Sequence, residues 1–300
     1  MSRRAFLAGA ALSAAGCSAS TGGLPELRLA TGPGGGPYEM LGDRFAPELR
    51  RDGFQVTVIK TAASVQNLSM LTDGRADLGF SLADSADDAV RKWHQPVMAM
   101  ARMYMNYVHL VVSKDSPVRT PNDLAARAVS IGADGSGTAV TATRILEAAN
   151  LKVRASVVML GLDESINALK RDDLAAFFWS GGVPTPALST LKGIRLVPLE
   201  QLVPVLRRSY GPVYEHASFP VGVYGIAKPV PTVGTPSYLM CRKSLPDDVA
   251  FTVTETLFRA RDRLQAPTAP GGRLDTRYAI GTGVVPLHPG AARYYRSVFG

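Results

Sequence analysis

Short apolar or alternating runs recur along the chain, and each is followed by a stretch with helical spacing. Residues 54–60 (FQVTVIK) alternate like a strand and 76–82 (ADLGFSL) read as a buried one, as do 128–132 (AVSIG), 156–160 and 174–179 (LAAFFW). Between them, Met40, Leu41, Phe45 and Leu49 mark one face of a helix over 39–51, and Val65, Leu68 and Leu71 mark a second that starts at Ser64. Further helices are expected over 83–92, 139–149, 163–170 and 247–264, and after Pro289 and Gly290. Residues 96–112 hold two apolar segments, the second at 107–112. Residues 193–234 are proline-rich with little period, 237–242 read as a strand, and 271–283 as loop. Strands alternating with helices predict a parallel sheet and an α/β architecture.

Two strand-to-helix turns stand out. At 29–42 (LATGPGGGPYEMLG) an apolar approach meets Gly34, Gly35 and Gly36, and Pro37 then opens an amphipathic run. At 133–138 (ADGSGT) a second glycine turn feeds the helix that carries Val140, Ile145 and Leu146. Such turns aim backbone N–H groups and the positive end of a helix at one point, which outlines an anion or carboxylate receptor. The plainer reading is a mere connection between strand and helix. Ser64, placed to cap its helix, and Asn67 three positions on fall near a third turn of the same kind.

Composition narrows the function. The 300 residues with 46% apolar content suffice for two cores. The paired arginines of SRRAFL, a short apolar run and Ala14-Ala15-Gly16-Cys17 resemble a twin-arginine export signal that ends in a lipobox. Lipidated Cys17 would anchor the protein to the outer face of the cytoplasmic membrane with residues 18–25 as tether; the alternative is a free periplasmic or secreted protein. Without Arg3 and Arg4 the 33 basic residues become 31 against 25 acidic, a net charge of +6. No aromatic-interleaved basic stripe accompanies it, so nucleic acid is not an expected partner. Cys241 is then alone, which excludes an intramolecular disulfide and suggests a buried strand thiol.

In this order, ATGPGGGPYEMLG, TAASVQNLSML, ADLGFSLAD, VHLVVSKDS, DLAARAVSIGADGSGT, SGGVPTPAL and PLHPGAARYYR resemble the TAXI family of solute-binding proteins, which serve TRAP-type transporters. The resemblance spans essentially all of the mature chain. Two departures are Ala63, where the family usually has a second glycine, and Ser81-Leu82-Ala83, which replaces a more polar segment. The resemblance implies a type II periplasmic-binding-protein fold, two α/β lobes joined by two crossing strands with the ligand in the cleft. Residues 26–110 with 240–300 would form one lobe and 111–239 the other, with crossings at 108–114 and about 235–242.

Under this reading a small carboxylate (dicarboxylate, oxo acid or acidic amino acid) meets four turns. Gly35, Gly36, Tyr38, Ser64 and Asn67 come from one lobe; Ser136, Gly137, Thr138, Gly182, Pro184 and Tyr224 come from the other. Tyr38, Trp179 and Tyr224 are candidates for the apolar wall, although Trp179 also fits a core position. Asp84 fits the first turn of a helix without any ligand. Each hydroxyl also has a structural reading, since Ser64 and Ser136 suit helix caps.

No enzyme, cofactor or metal is expected. The first glycine turn lacks the Lys-Ser/Thr of a phosphate-binding loop and the third glycine of a dinucleotide fingerprint. His94, His109, His216 and His288 show no metal-ligand spacing, and Ser180-Gly181-Gly182 is no nucleophile elbow. A monomer that delivers its solute to a TRAP-type permease is expected. Delivery to an ATP-driven importer, or presentation to a sensor kinase, are the alternatives.

Overall fold

A computed structural model describes residues 26–151, 154–264 and 274–300; the export segment and Cys17 lie outside these residues. The chain enters on β1 (Glu26–Ala30) and turns through the glycines into α1 (Pro37–Arg51). It repeats the step with β2 (Gln55–Ile59), α2 (Ser64–Thr72), β3 (Leu78–Leu82) and α3 (Ala83–Arg91). β1 lies between β2 and β3, parallel to both. Then comes β4 (Val97–Ser113), one strand of 17 residues where the sequence suggested two segments. Nearly all of it is buried on both faces, so its pattern is a continuous apolar run and not an alternation.

The second half of the sheet repeats the first. It comprises β5 (Ala128–Ser130), α4 (Gly137–Ala148), β6 (Ser156–Val158), α5 (Leu162–Lys170) and β7 (Ala176–Gly181). β5 lies between β6 and β7, again parallel to both. Beyond it comes α6 (Pro186–Ser189), and then β8 (Ile194–Leu196), α7 (Val203–Tyr210) and β9 (Glu215–Phe219) occupy the proline-rich stretch that shows little period in the sequence. The prolines open helices there: Pro186 starts α6, and α7 has a proline in its first turn.

The chain returns along β10 (Val230–Arg242), and α8 (Asp247–Arg259) with α9 (Arg261–Leu264) then divides the single long helix expected there. The stretch expected to be loop holds a one-turn α10 (Thr276–Ala279), and α11 (Pro289–Phe299) ends the chain. Among the described residues no helix is long and apolar enough to cross a membrane.

Among the described residues all ten strands form one sheet, ordered β2-β1-β3-β10-β4-β7-β5-β6, with β8 on β4 and β9 on β10. β4 and β10 belong to both halves. Tyr238 to Cys241 of β10 face β3, whereas Val230 to Gly234 face β9; Tyr107 to Val111 of β4 face β7. The two strands pair antiparallel with each other, from Gly234 with Tyr107 to Arg242 with Val97. Their register slips between Pro236 and Tyr238, where proline has no N–H to give to a ladder. The crossings are thus longer than the sequence suggested and begin at Val97 and Val230.

Leu27, Phe45, Phe80, Met100, Leu239 and Phe258 form a core under α1, α8 and α11. On the other face one cluster runs unbroken from Leu68 and Ala86 through Val108 and Leu110 to Ile145 and Leu206. A third gathers Phe177, Trp179, Phe219 and Leu196. Cys241 is fully buried on β10, as its apolar context suggested, and burial pushes its thiol pKa up.

Candidate functional site

The two glycine turns share one geometry. Gly36 N–H donates to the Pro33 carbonyl and Ser136 N–H to the Ala133 carbonyl, at 3.1 and 3.2 Å, across Gly35 and Gly135, whose φ values are +71° and +73°. Each turn leaves the C-terminal end of a parallel strand and opens a helix, α1 or α4, from a cap at φ −89°. They face each other across the middle of the sheet, together with the turns that open α2 and α5. Open α/β sheets bind their ligands at such strand ends.

A cavity of about 50 Å³ lies where these turns meet, room for a few waters, each of which needs roughly 10–15 Å³. Gly36, Tyr38, Ser64 and Leu82 line it from one side; Gly137, Thr138, Leu162, Phe178 and Trp179 line it from the other. Tyr104 and Asn106 contribute from crossing strand β4. No Lys, Arg, His, Asp or Glu is among the lining residues. Burial pushes the Tyr38 and Tyr104 phenols above the ordinary tyrosine range, so both stay neutral.

The two sides touch around the cavity. Gln66 N–H of α2 donates to the Gly135 carbonyl at 3.0 Å. Gly137 lies so close to α2 that a Cβ there would stand 2.4 Å from Ser64 Oγ and 2.8 Å from Leu82 Cδ1. A Cβ on Gly36 would meet the Trp179 ring at 3.7 Å, an ordinary van der Waals contact. Next to them, α3 meets α4 through buried polar groups. Asp84 Oδ2 accepts from the Thr141 hydroxyl at 2.6 Å and from the Tyr214 hydroxyl at 2.9 Å. Arg144 donates to the Tyr214 hydroxyl at 3.0 Å and to Asp88 at 2.6 Å. Asp84 is therefore a link between the halves of the molecule.

Of the residues expected at the ligand, Gly36, Tyr38, Ser64, Ser136, Gly137 and Thr138 line the cavity. Five do not. Gly35 is exposed, and its N–H donates to Glu39 Oε2 at 2.6 Å, inside its own turn. Asn67 is fully buried below the cavity floor; its Nδ2 donates to the Thr31 and Phe80 carbonyls at 2.7 and 2.8 Å, and its Oδ1 accepts from Thr61 at 2.6 Å. Gly182 and exposed Pro184 belong to the turn behind Trp179, where Thr185 Oγ1 accepts from the indole N–H at 3.0 Å and donates to the Gly182 carbonyl at 2.8 Å. Tyr224 lies further back, its phenol pushed up to about 12 by burial. Its oxygen accepts from Thr185 N–H at 2.7 Å, and its O–H donates to His109 Nε2 at 3.1 Å. His109 Nδ1 faces the carbonyls of Tyr107 and Trp179, so it carries the proton, and burial pushes this imidazole down to about 4.

Ser64 is the first residue of α2 and not its cap; its Oγ accepts from Leu82 N–H at 3.0 Å. The cap is Ala63, at φ +94° and ψ −134°, a backbone region that strains any residue except glycine. Ser136 does cap α4, accepting from Ala139 N–H at 3.1 Å.

Trp179 walls the cavity, and the sequence reading missed Tyr104 and Asn106. Both lie in the middle of β4, whose unbroken apolar pattern gave no phase to separate cavity positions from core. Among the described residues Asn106 Nδ2 and Ser180 Oγ have no hydrogen-bond partner although both side chains line the cavity and are buried. Buried polar groups are otherwise nearly always paired.

The NMT1-like family model matches residues 29–298. The chain belongs to the NMT1-like family. Among solved structures this NMT1-like chain is similar to XAC2383 from Xanthomonas citri bound to chloride ion, at 13% identity and a TM-score of 0.52, covering 91% of this chain and 95% of that one. It is similar to the GluR0 ligand-binding core in complex with L-glutamate, at 11% identity and a TM-score of 0.50, over 81% and 96%. It is also similar to a putative L-cystine ABC transporter from Listeria monocytogenes, at 13% identity and a TM-score of 0.50, over 81% and 93%. The fold is the two-lobed α/β architecture of periplasmic binding proteins, as the sequence resemblance implied.

Proposed function

We propose that the protein is an exported solute receptor that closes its two lobes around a small organic acid and delivers it to a membrane transporter. The lobes change over near Asn106 and Thr235, a few residues before the limits read from the sequence. The observation that carries the reading is the cavity itself. Helix N-termini from both lobes converge there, and among the described residues no charged side chain lines it and Asn106 Nδ2 and Ser180 Oγ have no partner. Donors and helix dipoles aimed at one enclosed point suit an anion.

Micromolar binding requires about 8 kcal/mol net of the costs of ordering and desolvation. Charge-assisted hydrogen bonds contribute roughly 1.5–3 kcal/mol each, so four to six donors are required, a number that two opposed lobes can supply. Ligand would enter when the lobes part at β4 and β10.

The TAXI-like segments support delivery to a TRAP-type permease, with Cys17 lipidated as the anchor. The ATP-driven alternative is supported by the likeness to the putative L-cystine ABC transporter. A permease with fused membrane subunits encoded beside this gene favours the first reading, and an ATPase favours the second. A thermal-shift screen over dicarboxylates, oxo acids and amino acids, followed by calorimetry, tests the ligand class. Stabilisation by an organic acid is expected; stabilisation by uncharged sugars or metal ions alone would overturn it.

A further inference from the structure

Four helices of at least nine residues begin at the cavity, and they differ in what already occupies their first turns. The start of α1 holds Glu39, which accepts from Gly35 N–H and pairs with Lys60. Glu164 at the start of α5 accepts from Gly161 N–H at 2.9 Å. Both ends therefore carry a carboxylate of the protein's own, which satisfies the helix dipole. α2 and α4 have no acidic residue in their first turns. These two starts come from opposite lobes and meet where Gly137 packs on Ser64.

From this asymmetry we propose that the cleft takes a monocarboxylic acid whose other polar group is an acceptor, a 2-oxo acid with a short apolar chain, and that Asn106 and Ser180 receive its polar end. The inference rests on the receptor reading above and narrows it. The acid's carboxylate faces the starts of α2 and α4 from the cavity side of the contact between Gly137 and Ser64. A second carboxylate would enter a cavity with neither Lys nor Arg to meet it, and the ammonium of an amino acid would find no Asp or Glu. Either charge would be buried unpaired.

Among the described residues the groups still free to bond can both donate: Asn106 Nδ2 is a donor only and offers two hydrogens, and the Ser180 hydroxyl offers one, from side chains 1% and 9% exposed. A 2-oxo group offers acceptors only. Leu82, Leu162, Phe178 and Trp179 leave the remaining surface apolar, which suits an alkyl chain.

Four probes that share one carbon skeleton test this by calorimetry on the mature protein: 2-oxovalerate, norvaline, 2-oxoglutarate and glutamate. 2-Oxovalerate is expected to bind tightest, with each added charge weakening Kd by on the order of a hundredfold. Equal or tighter binding of 2-oxoglutarate, norvaline or glutamate overturns the inference and leaves the receptor reading standing; silence from every acid overturns both.

Asn106→Leu and Ser180→Ala provide the second arm. Each is expected to weaken 2-oxovalerate about tenfold while holding or raising the melting point of the unliganded protein, because removing an unpaired buried polar group relieves a cost. A lowered melting point with unchanged affinity would make these residues structural and overturn their assigned role.

Discussion

Replacing Asn67 with alanine separates scaffold from ligand contact at the position where the sequence and the structure disagree most. The side chain is fully buried and ties three segments together: the end of β1 through Thr31, the approach to α2 through Thr61, and β3 through Phe80. Its three short bonds contribute about 1 kcal/mol each. Their loss strands the Phe80 carbonyl from this partner, whereas the Thr61 hydroxyl keeps the Thr31 carbonyl at 3.1 Å as an alternative acceptor. The total destabilisation comes to about 3–4 kcal/mol, with one stranded group near the low end of its usual desolvation cost. For a chain of this size that corresponds to a fall in melting temperature of roughly 10 °C. Differential scanning calorimetry measures it on the unliganded protein, and titration calorimetry, run well below the new midpoint, should find affinity within about threefold of the parent. A variant that melts within a degree or two of the parent but binds ten times more weakly would refute the reasoning and return Asn67 to the ligand.

Gly137→Ala places a methyl against Ser64 Oγ and Leu82 Cδ1 of the opposite lobe. It is expected to hold the lobes apart and weaken ligand binding at least about tenfold without lowering the unliganded melting point; unchanged affinity would show that closure tolerates the methyl. Stability should also depend on pH through His109. Its folded pKa, about 4, lies below the ordinary 6.5, so the unfolded chain takes up a proton that the fold refuses. The stabilisation is complete above 6.5 and drains away as pH falls toward 4. Denaturant titrations of His109→Asn should show a shallower loss across that window, and parallel slopes for parent and variant would refute the assignment.

The alternation of strand and helix was legible because the parallel strands are short and most are followed by a glycine or a capping residue, although β3 runs straight into α3 at Leu82. The repeated turn was legible for the same reason: Gly35 and Gly135 both hold positive φ, which leaves its mark on the sequence. The full length of the crossing strands was not, since β4 is buried on both faces and no alternation locates Tyr104 or Asn106. Asn67 drew attention as a polar group beside a turn and Tyr224 as an aromatic wall, but sequence does not say whether such a side chain faces a cleft or partners within the protein. Asp84 shows the converse. An acid in a helix's first turn has a sufficient local explanation, and its partners Thr141 and Tyr214 are 57 and 130 positions away.

The chain has two tryptophans, and they sit in opposite circumstances. Trp179 is enclosed at the cavity wall with its ring against Gly36 of the other lobe, whereas Trp93 is half exposed at the end of α3. If the lobes part as proposed, one indole is expected to respond to their separation and the other only to bulk solvent. Iodide is then expected to quench one part of the intrinsic fluorescence at all times and the other only when the cleft opens. Such a signal would gauge closure without a label and without knowing the solute in advance.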